Sequence, residues 1–451
     1  MRLLQRRLWL SAVAICALTT LAPAATTPKV SFTDTKLKNG LRVLVVEDHV
    51  APVVSIAVTY NAGSRDERKG RTGFAHLFEH MMFKGSENVG PGEHFMLVFN
   101  NGGSMNGTTN KDRTLYFETM PSNQLDLTLF LEADRMRSLA ITKENLDNQR
   151  NAVQEERRLG VDNQPYGKTF EAIDELAYDN FAYEHSVIGS MEDLGAASVE
   201  DVAEFFKTYY APNNAVLALV GDVKADEALA KIRRHFEAIP PQQAPAAVDM
   251  NEPAQTAERR LTLNDALARL DRLDVVFKIP PAMSPDEDAL SVLGTVLGGG
   301  RSSRLYEQVV RQKELAANAS AFAGMSRGTG LFRVNAMAAP GKPVADLERA
   351  IADEIEKVKT GPIAAWEMEK ARTAARSSFV SSVQSTLSRA ILLSQYALFH
   401  DDPNLINTRA EKIAAVTAED VQRVARKYLT AENRTVVVTS PKPAVASKGG
   451  L

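Results

Sequence analysis

The five residues His76-Leu77-Phe78-Glu79-His80 set two imidazoles and a carboxylate within little more than one turn of an apolar, helix-like run. Histidines at i and i+4 lie one above the other on a helix face, so both rings can reach one metal ion. Glu79 stands close enough to take a proton from a water at that ion. The order H-x-x-E-H reverses the H-E-x-x-H zinc motif. A catalytic zinc is tetrahedral, with three protein ligands and a fourth position left for water. The third ligand must therefore come from elsewhere in the chain. The run Asn148 to Arg158 is rich in helix formers and offers Glu155 and Glu156 side by side. Adjacent helical residues point about 100° apart, so only one of the two can face the ion. Spacing alone does not choose between them.

The chain that must position these groups repeats itself. Ser198-Val199-Glu200-Asp201-Val202 leads through Tyr209-Tyr210-Ala211-Pro212-Asn213-Asn214 into the apolar run from Ala215 to Val220. Thr417-Ala418-Glu419-Asp420-Val421 leads through Tyr428-Leu429-Thr430-Ala431-Glu432-Asn433 into Thr435 to Val438, 219 residues further on. Both segments read as a Ser/Thr N-cap, a helix, a polar turn and a β-rich strand. A proline-rich stretch, Ile239-Pro240-Pro241-Gln242-Gln243-Ala244-Pro245, separates them without hydrophobic periodicity. The pattern predicts an α+β fold of two homologous α/β-sandwich halves, residues 33–238 and 259–440, joined by a linker at 239–258 and followed by a tail at 441–451. The second half lacks the metal chemistry, because the same offset carries His76 onto Thr295, in a run with no histidine or glutamate. Gly298-Gly299-Gly300 before Arg301 lacks the phosphate-loop pattern and reads as a helix-ending turn.

Composition fits an exported protein. Residues 1–24 carry Arg2, Arg6 and Arg7, then an apolar run from Leu8 to Leu18, and end in Ala22-Pro23-Ala24. This is the form of a cleavable signal peptide directing the chain to the periplasm; a retained N-terminal anchor is the alternative. The apolar run is short for a membrane span. The only cysteine, Cys16, lies inside the segment, so the mature chain has neither a disulfide nor a thiolate ligand. Removing three arginines and no acid takes the net charge from −3 to −6, too mild an excess to suggest nucleic acid or anionic membrane as a partner.

The run from Gly73 to Gly85, with His76, Glu79 and His80 at its centre, resembles the zinc-site helix of the pitrilysin family, on the branch of mitochondrial processing peptidase and its bacterial relatives. Val153-Gln154-Glu155-Glu156-Arg157-Arg158, with Pro165-Tyr166-Gly167 beyond, resembles the family's third-ligand helix, whose ligand is the glutamate before the arginine pair. The resemblance therefore implies one Zn2+ per chain held by His76, His80 and Glu156, with Glu79 as general base. Asn106-Gly107-Thr108-Thr109 and Thr114-Leu115-Tyr116 are similar to the family's substrate-side strands, which makes Asn106 a candidate peptide contact. The likeness runs from about residue 33 to 440. It implies a zinc endopeptidase or oligopeptidase acting on unfolded peptides, built as half of a clam-like chamber. A non-catalytic assembly subunit of the same family is the alternative.

One departure bears on partners. Family members whose C-terminal half helps hold substrate carry an arginine followed seven residues later by a tyrosine. Arg311 matches the first, but Asn318 stands at the second. The family's two-chain peptidases place zinc in one subunit and the substrate-holding pair in the other. This chain resembles the zinc-bearing subunit, implying a heterodimer with a related Arg/Tyr-bearing chain, or a homodimer. His49, His94, His185, His235 and His400 have no partner at helical spacing and read as surface or satisfied interior histidines.

Overall fold

The computed structural model describes residues 29–442, so the expected signal segment and nearly all of the tail lie outside the described residues. The first half forms a six-stranded sheet from β1 (Thr33–Lys36), β2 (Arg42–Glu47), β3 (Val53–Tyr60), β4 (Ser104–Thr109), β5 (Thr114–Pro121) and β6 (Ala215–Gly221). The order is β1-β2-β6-β3-β5-β4, with β2 and β6 parallel and every other pair antiparallel. The second half forms a five-stranded sheet from β7 (Arg259–Asp265), β8 (Arg272–Ile279), β9 (Ala316–Gly324), β10 (Gly330–Ala338) and β11 (Arg434–Pro441). Its order is β7-β11-β8-β10-β9, and again only one pair, β7 with β11, is parallel.

Strand for strand, β2-β6-β3-β5-β4 matches β7-β11-β8-β10-β9, and the second sheet lacks only a counterpart of β1. β3 and β8 begin 219 residues apart, as do β6 and β11. The two homologous halves expected from the repeat are thus present. Thr295, the counterpart of His76, lies on the Glu287–Gly298 helix.

Both faces of each sheet are covered, which is why the central strands are apolar at consecutive positions rather than alternate ones. In the first sheet Val43, Val45, Ile56 and Val58 face the helices of their own half. Leu44, Val46, Ala57 and Val220 face the opposite way, against Ala390, Leu393 and Ala397 of the Thr386–His400 helix. That helix belongs to the second half by sequence. Conversely, Ile173 and Ala177 of the Gly167–Ala177 helix cover Val276 and Val437 of the second sheet. These two helices also start 219 residues apart, so the repeat exchanges equivalent elements between halves. Buried hydroxyl pairs pin the exchange: Thr59 to Ser394 at 2.8 Å, and Thr169 with Thr439 at 2.7 Å. Among the described residues no helix is long and apolar enough to cross a membrane.

Candidate metal centre

The Phe74–Met81 helix carries the motif. Phe74, Leu77, Phe78 and Met81 are buried in the first core, which turns His76, Glu79 and His80 to the other face. Gly73 starts the helix at φ 85°, and a Cβ there would lie 2.6 Å from the Ile188 carbonyl oxygen, so no other residue fits. The amides at this end, which have no partner within the helix, are met by Glu67. Its carboxylate accepts from Gly73 N at 2.9 Å and Ala75 N at 2.7 Å, acting as a cap supplied from outside the helix.

The second helix, Lys143–Arg157, is capped by Thr142, whose side chain accepts from Asn145 N. Leu146, Gln149 and Val153 are buried along one stripe, and Glu156 continues it at the next helical step. Glu156 Oε2 consequently lies 3.6 Å from His76 Nε2 and 3.4 Å from His80 Nε2. Glu155 points away and pairs with Arg158 at 3.0 Å.

Ligands about 2.05 Å from a tetrahedral zinc sit roughly 3.3 Å from one another. The observed spacings are close to that, and the three ligand-type atoms all lie within 4.8 Å of each other. The donor set, two imidazole nitrogens and one carboxylate oxygen, also suits zinc. Burial and the neighbouring His80 push His76 down to about 4, so its ring is neutral and its lone pair free. The hydrogen bond with His80 holds Glu156 below the ordinary glutamate range, as a carboxylate. Glu79 is pushed up by burial, against the pull of a hydrogen bond from Thr109.

Thr109 ends β4, the edge strand of the sheet, and its hydroxyl donates to Glu79 Oε2 at 2.5 Å. Gly107 on the same strand lets Glu79 pack closely, since a Cβ would lie 3.0 Å from Glu79 Oε1. Asn106 is exposed on β4, paired in register with Phe117 of β5. Arg311 is exposed on the helical turn Tyr306–Gln312 and pairs with Glu307 at 3.0 Å. Asn318 lies on β9 opposite Met337.

Sequence reasoning missed Glu67, His185 and Thr109 as groups that fix the site. His185 Nε2 lies 2.9 Å from Glu67 Oε2, although 118 residues separate the two in sequence. A second cluster, His94 with Glu118 and Glu132, is wholly interior. Arg135 already supplies its cation, donating to both Glu132 oxygens and lying over the Tyr116 ring. Burial pushes Glu118 and Glu132 up to about 7 and His94 down to about 3, so the histidine is neutral.

Residues 42–190 match the model described as Insulinase (Peptidase family M16), and residues 196–375 match that of the Peptidase M16 inactive domain. The chain is 31% identical over 408 residues to the Zinc protease PqqE of Helicobacter pylori, covering 90% of this chain and 92% of that one. It is 26% identical to the probable mitochondrial-processing peptidase subunit beta of Arabidopsis thaliana, covering 90% of this chain and 78% of the relative. Its fold superimposes on the crystal structure of a protease from Helicobacter pylori with a TM-score of 0.88 at 30% identity, covering 92% of this chain and all of the other. On these matches, the chain belongs to the M16 family of pitrilysin/insulinase peptidases.

Proposed function

We propose that the chain is a zinc-dependent endopeptidase or oligopeptidase that hydrolyses peptide bonds in unfolded peptides, with one Zn2+ held by His76, His80 and Glu156. The observation that carries this reading is the convergence of both imidazoles on Glu156 Oε2, with the Glu79 carboxylate on the same helix face. The ion, when bound, supplies Lewis acidity that polarises the scissile carbonyl and acidifies water. Glu79 takes the proton of the attacking water and hands it to the departing amine. Burial suits Glu79 to this exchange, because it raises the carboxyl's affinity for a proton above that of an exposed glutamate. Asn106 lies on the open edge of β4, where an extended peptide can add as a further strand.

The halves bounded at 33–238 and 259–440 form one side of a clam-like chamber. The chain forms a heterodimer with a related chain that supplies the substrate-holding Arg/Tyr pair, or a homodimer in which Arg311 and local groups hold the peptide. The basic-then-apolar run at residues 1–24 supports export to the periplasm.

The reading is tested with Glu79→Gln. The variant should keep zinc while cleavage of an unstructured, internally quenched peptide falls roughly 10²-fold or more. Zinc-loaded Glu79→Gln cleaving at the wild-type rate would remove Glu79 as the base, and zinc-loaded wild type that cleaves nothing, alone or with an Arg/Tyr-bearing relative, would favour the non-catalytic assembly subunit.

A further inference from the structure

Glu79 is held from strand β4, and by more than packing. A carboxylate only accepts hydrogen bonds, so the 2.5 Å contact with Thr109 uses the single proton of the threonine hydroxyl. Thr114 Oγ1, 3.3 Å from Thr109 Oγ1, sends its own proton to the Ala62 carbonyl at 2.9 Å and does not compete. The direction of the Thr109 hydroxyl is therefore fixed. Its backbone is fixed as well. Arg113 grips the preceding residue through the Thr108 carbonyl at 2.6 Å and the Thr108 hydroxyl at 2.5 Å. The turn beyond is closed by Asn110 Oδ1, which accepts from Asp112 N at 2.8 Å and Arg113 N at 2.9 Å. Asp112 in turn is anchored by Arg65, by Tyr183 and by Arg327 N from the second half. Glu79 Oε1 faces Gly107, where the absent side chain leaves room.

We propose that Thr109 is a positioning residue for Glu79: its hydroxyl pins Oε2, leaves Oε1 as the oxygen that exchanges the proton, and ties the base to the strand on which the peptide lies. The inference rests on the proposed role of Glu79. Through Asp112 and Arg327 it also gives the metal-free half a part in keeping that strand still. A displacement of about 1 Å at a reacting group can cost 10²-fold in rate, which sets the scale of the effect.

Thr109→Val removes the donor while keeping the shape, and Thr109→Ser keeps the donor. With an internally quenched unstructured peptide, Thr109→Val should lower kcat about 10- to 100-fold with KM within about twofold of wild type. Thr109→Ser should stay within about threefold in kcat. Both should retain wild-type zinc content and melting temperature, and metal-free Thr109→Val should bind the peptide with unchanged Kd. In crystals of the zinc-loaded variants the Glu79 carboxylate should be turned in Thr109→Val and superimpose on wild type in Thr109→Ser. The proposal is overturned by an unmoved Glu79 and a wild-type kcat in Thr109→Val, by loss of zinc in that variant, or by Thr109→Ser falling as far as Thr109→Val. Glu79→Gln run in parallel separates the two claims. If it cleaves normally, the role of Glu79 fails; if it is inactive while Thr109→Val is normal, only the role of Thr109 fails.

Discussion

The Glu67 carboxylate and the His185 imidazole, 2.9 Å apart and both buried, together cap the helix that carries the metal motif. His185 Nδ1 faces the Phe181 carbonyl at 2.7 Å. Burial works against charge on the ring, but the hydrogen bond with Glu67 outweighs it and raises the imidazole's affinity for a proton, while burial raises that of the Glu67 carboxyl. A buried, hydrogen-bonded pair thus sits behind the N-terminus of the helix and presents the Glu67 oxygens to its amides.

Removing half of this pair should be costly, because the other half is left buried and unsatisfied. His185→Ala should destabilise the protein by about 1–3 kcal/mol and weaken zinc binding, read as the urea midpoint and a chelator competition. Glu67→Gln, which keeps one acceptor for the helix amides, should cost less in zinc affinity than Glu67→Ala. Equal and negligible effects of all three would mean that the helix is held by its apolar face alone.

The motif was legible because i and i+4 histidines announce their common face, and the repeat because a capped helix leading into a β-run recurs at a fixed offset. Glu67, His185 and Thr109 were not, since nothing local marks a lone glutamate, histidine or threonine as the partner of a helix that lies far away in the chain. The choice of Glu156 over Glu155 needed the family likeness at first. The structure supplies a physical reason: both side chains are exposed, but Glu156 Oε2 lies 3.4 Å from His80 Nε2, while Glu155 turns aside to pair with Arg158. The helix exchange also escaped the sequence, because the apolar stripe of the 386–400 helix looks the same whichever sheet it covers.

That exchange predicts that the halves stay together without the covalent link. A protease site inserted within residues 243–247, where no helix or strand is formed, should be cut without separating the fragments on size exclusion. Leu393→Ala, in the exchanged helix, should cost about 2–5 kcal/mol and loosen both fragments. Fragments that elute separately after cutting would contradict the interlock.

Asp286 gives a pH dependence remote from the metal centre. Burial pushes its carboxyl up, but hydrogen bonds from Tyr428, Arg423 and Lys427 outweigh this and hold it down to about 2. An unfolded aspartate titrates near about 3.9, so the folded state favours the ionised form. The stabilisation is fully present above that value and is lost as the pH falls toward 2. Asp286→Asn should lower the urea midpoint at pH 7 and flatten its decline between about pH 4 and 2. A variant whose profile parallels wild type over that window would remove Asp286 from the account.

Asn318 in place of tyrosine makes the partner testable. The isolated chain should bind zinc yet cleave an unstructured peptide poorly, and adding an M16 relative that carries the Arg/Tyr pair should raise the rate saturably. Positioning the carbonyl contributes on the order of several kcal/mol to such a barrier. High activity of the chain alone, unresponsive to the relative, would show that Arg311 and local groups suffice.

The central claim is that His76, His80 and Glu156 form one zinc site, and metal analysis of the purified chain tests it most directly. The account predicts about one zinc per chain in wild type and in Glu79→Gln, loss of the metal in His80→Ala, and weakened retention in Glu156→Gln. Equal zinc content in wild type and His80→Ala would contradict it.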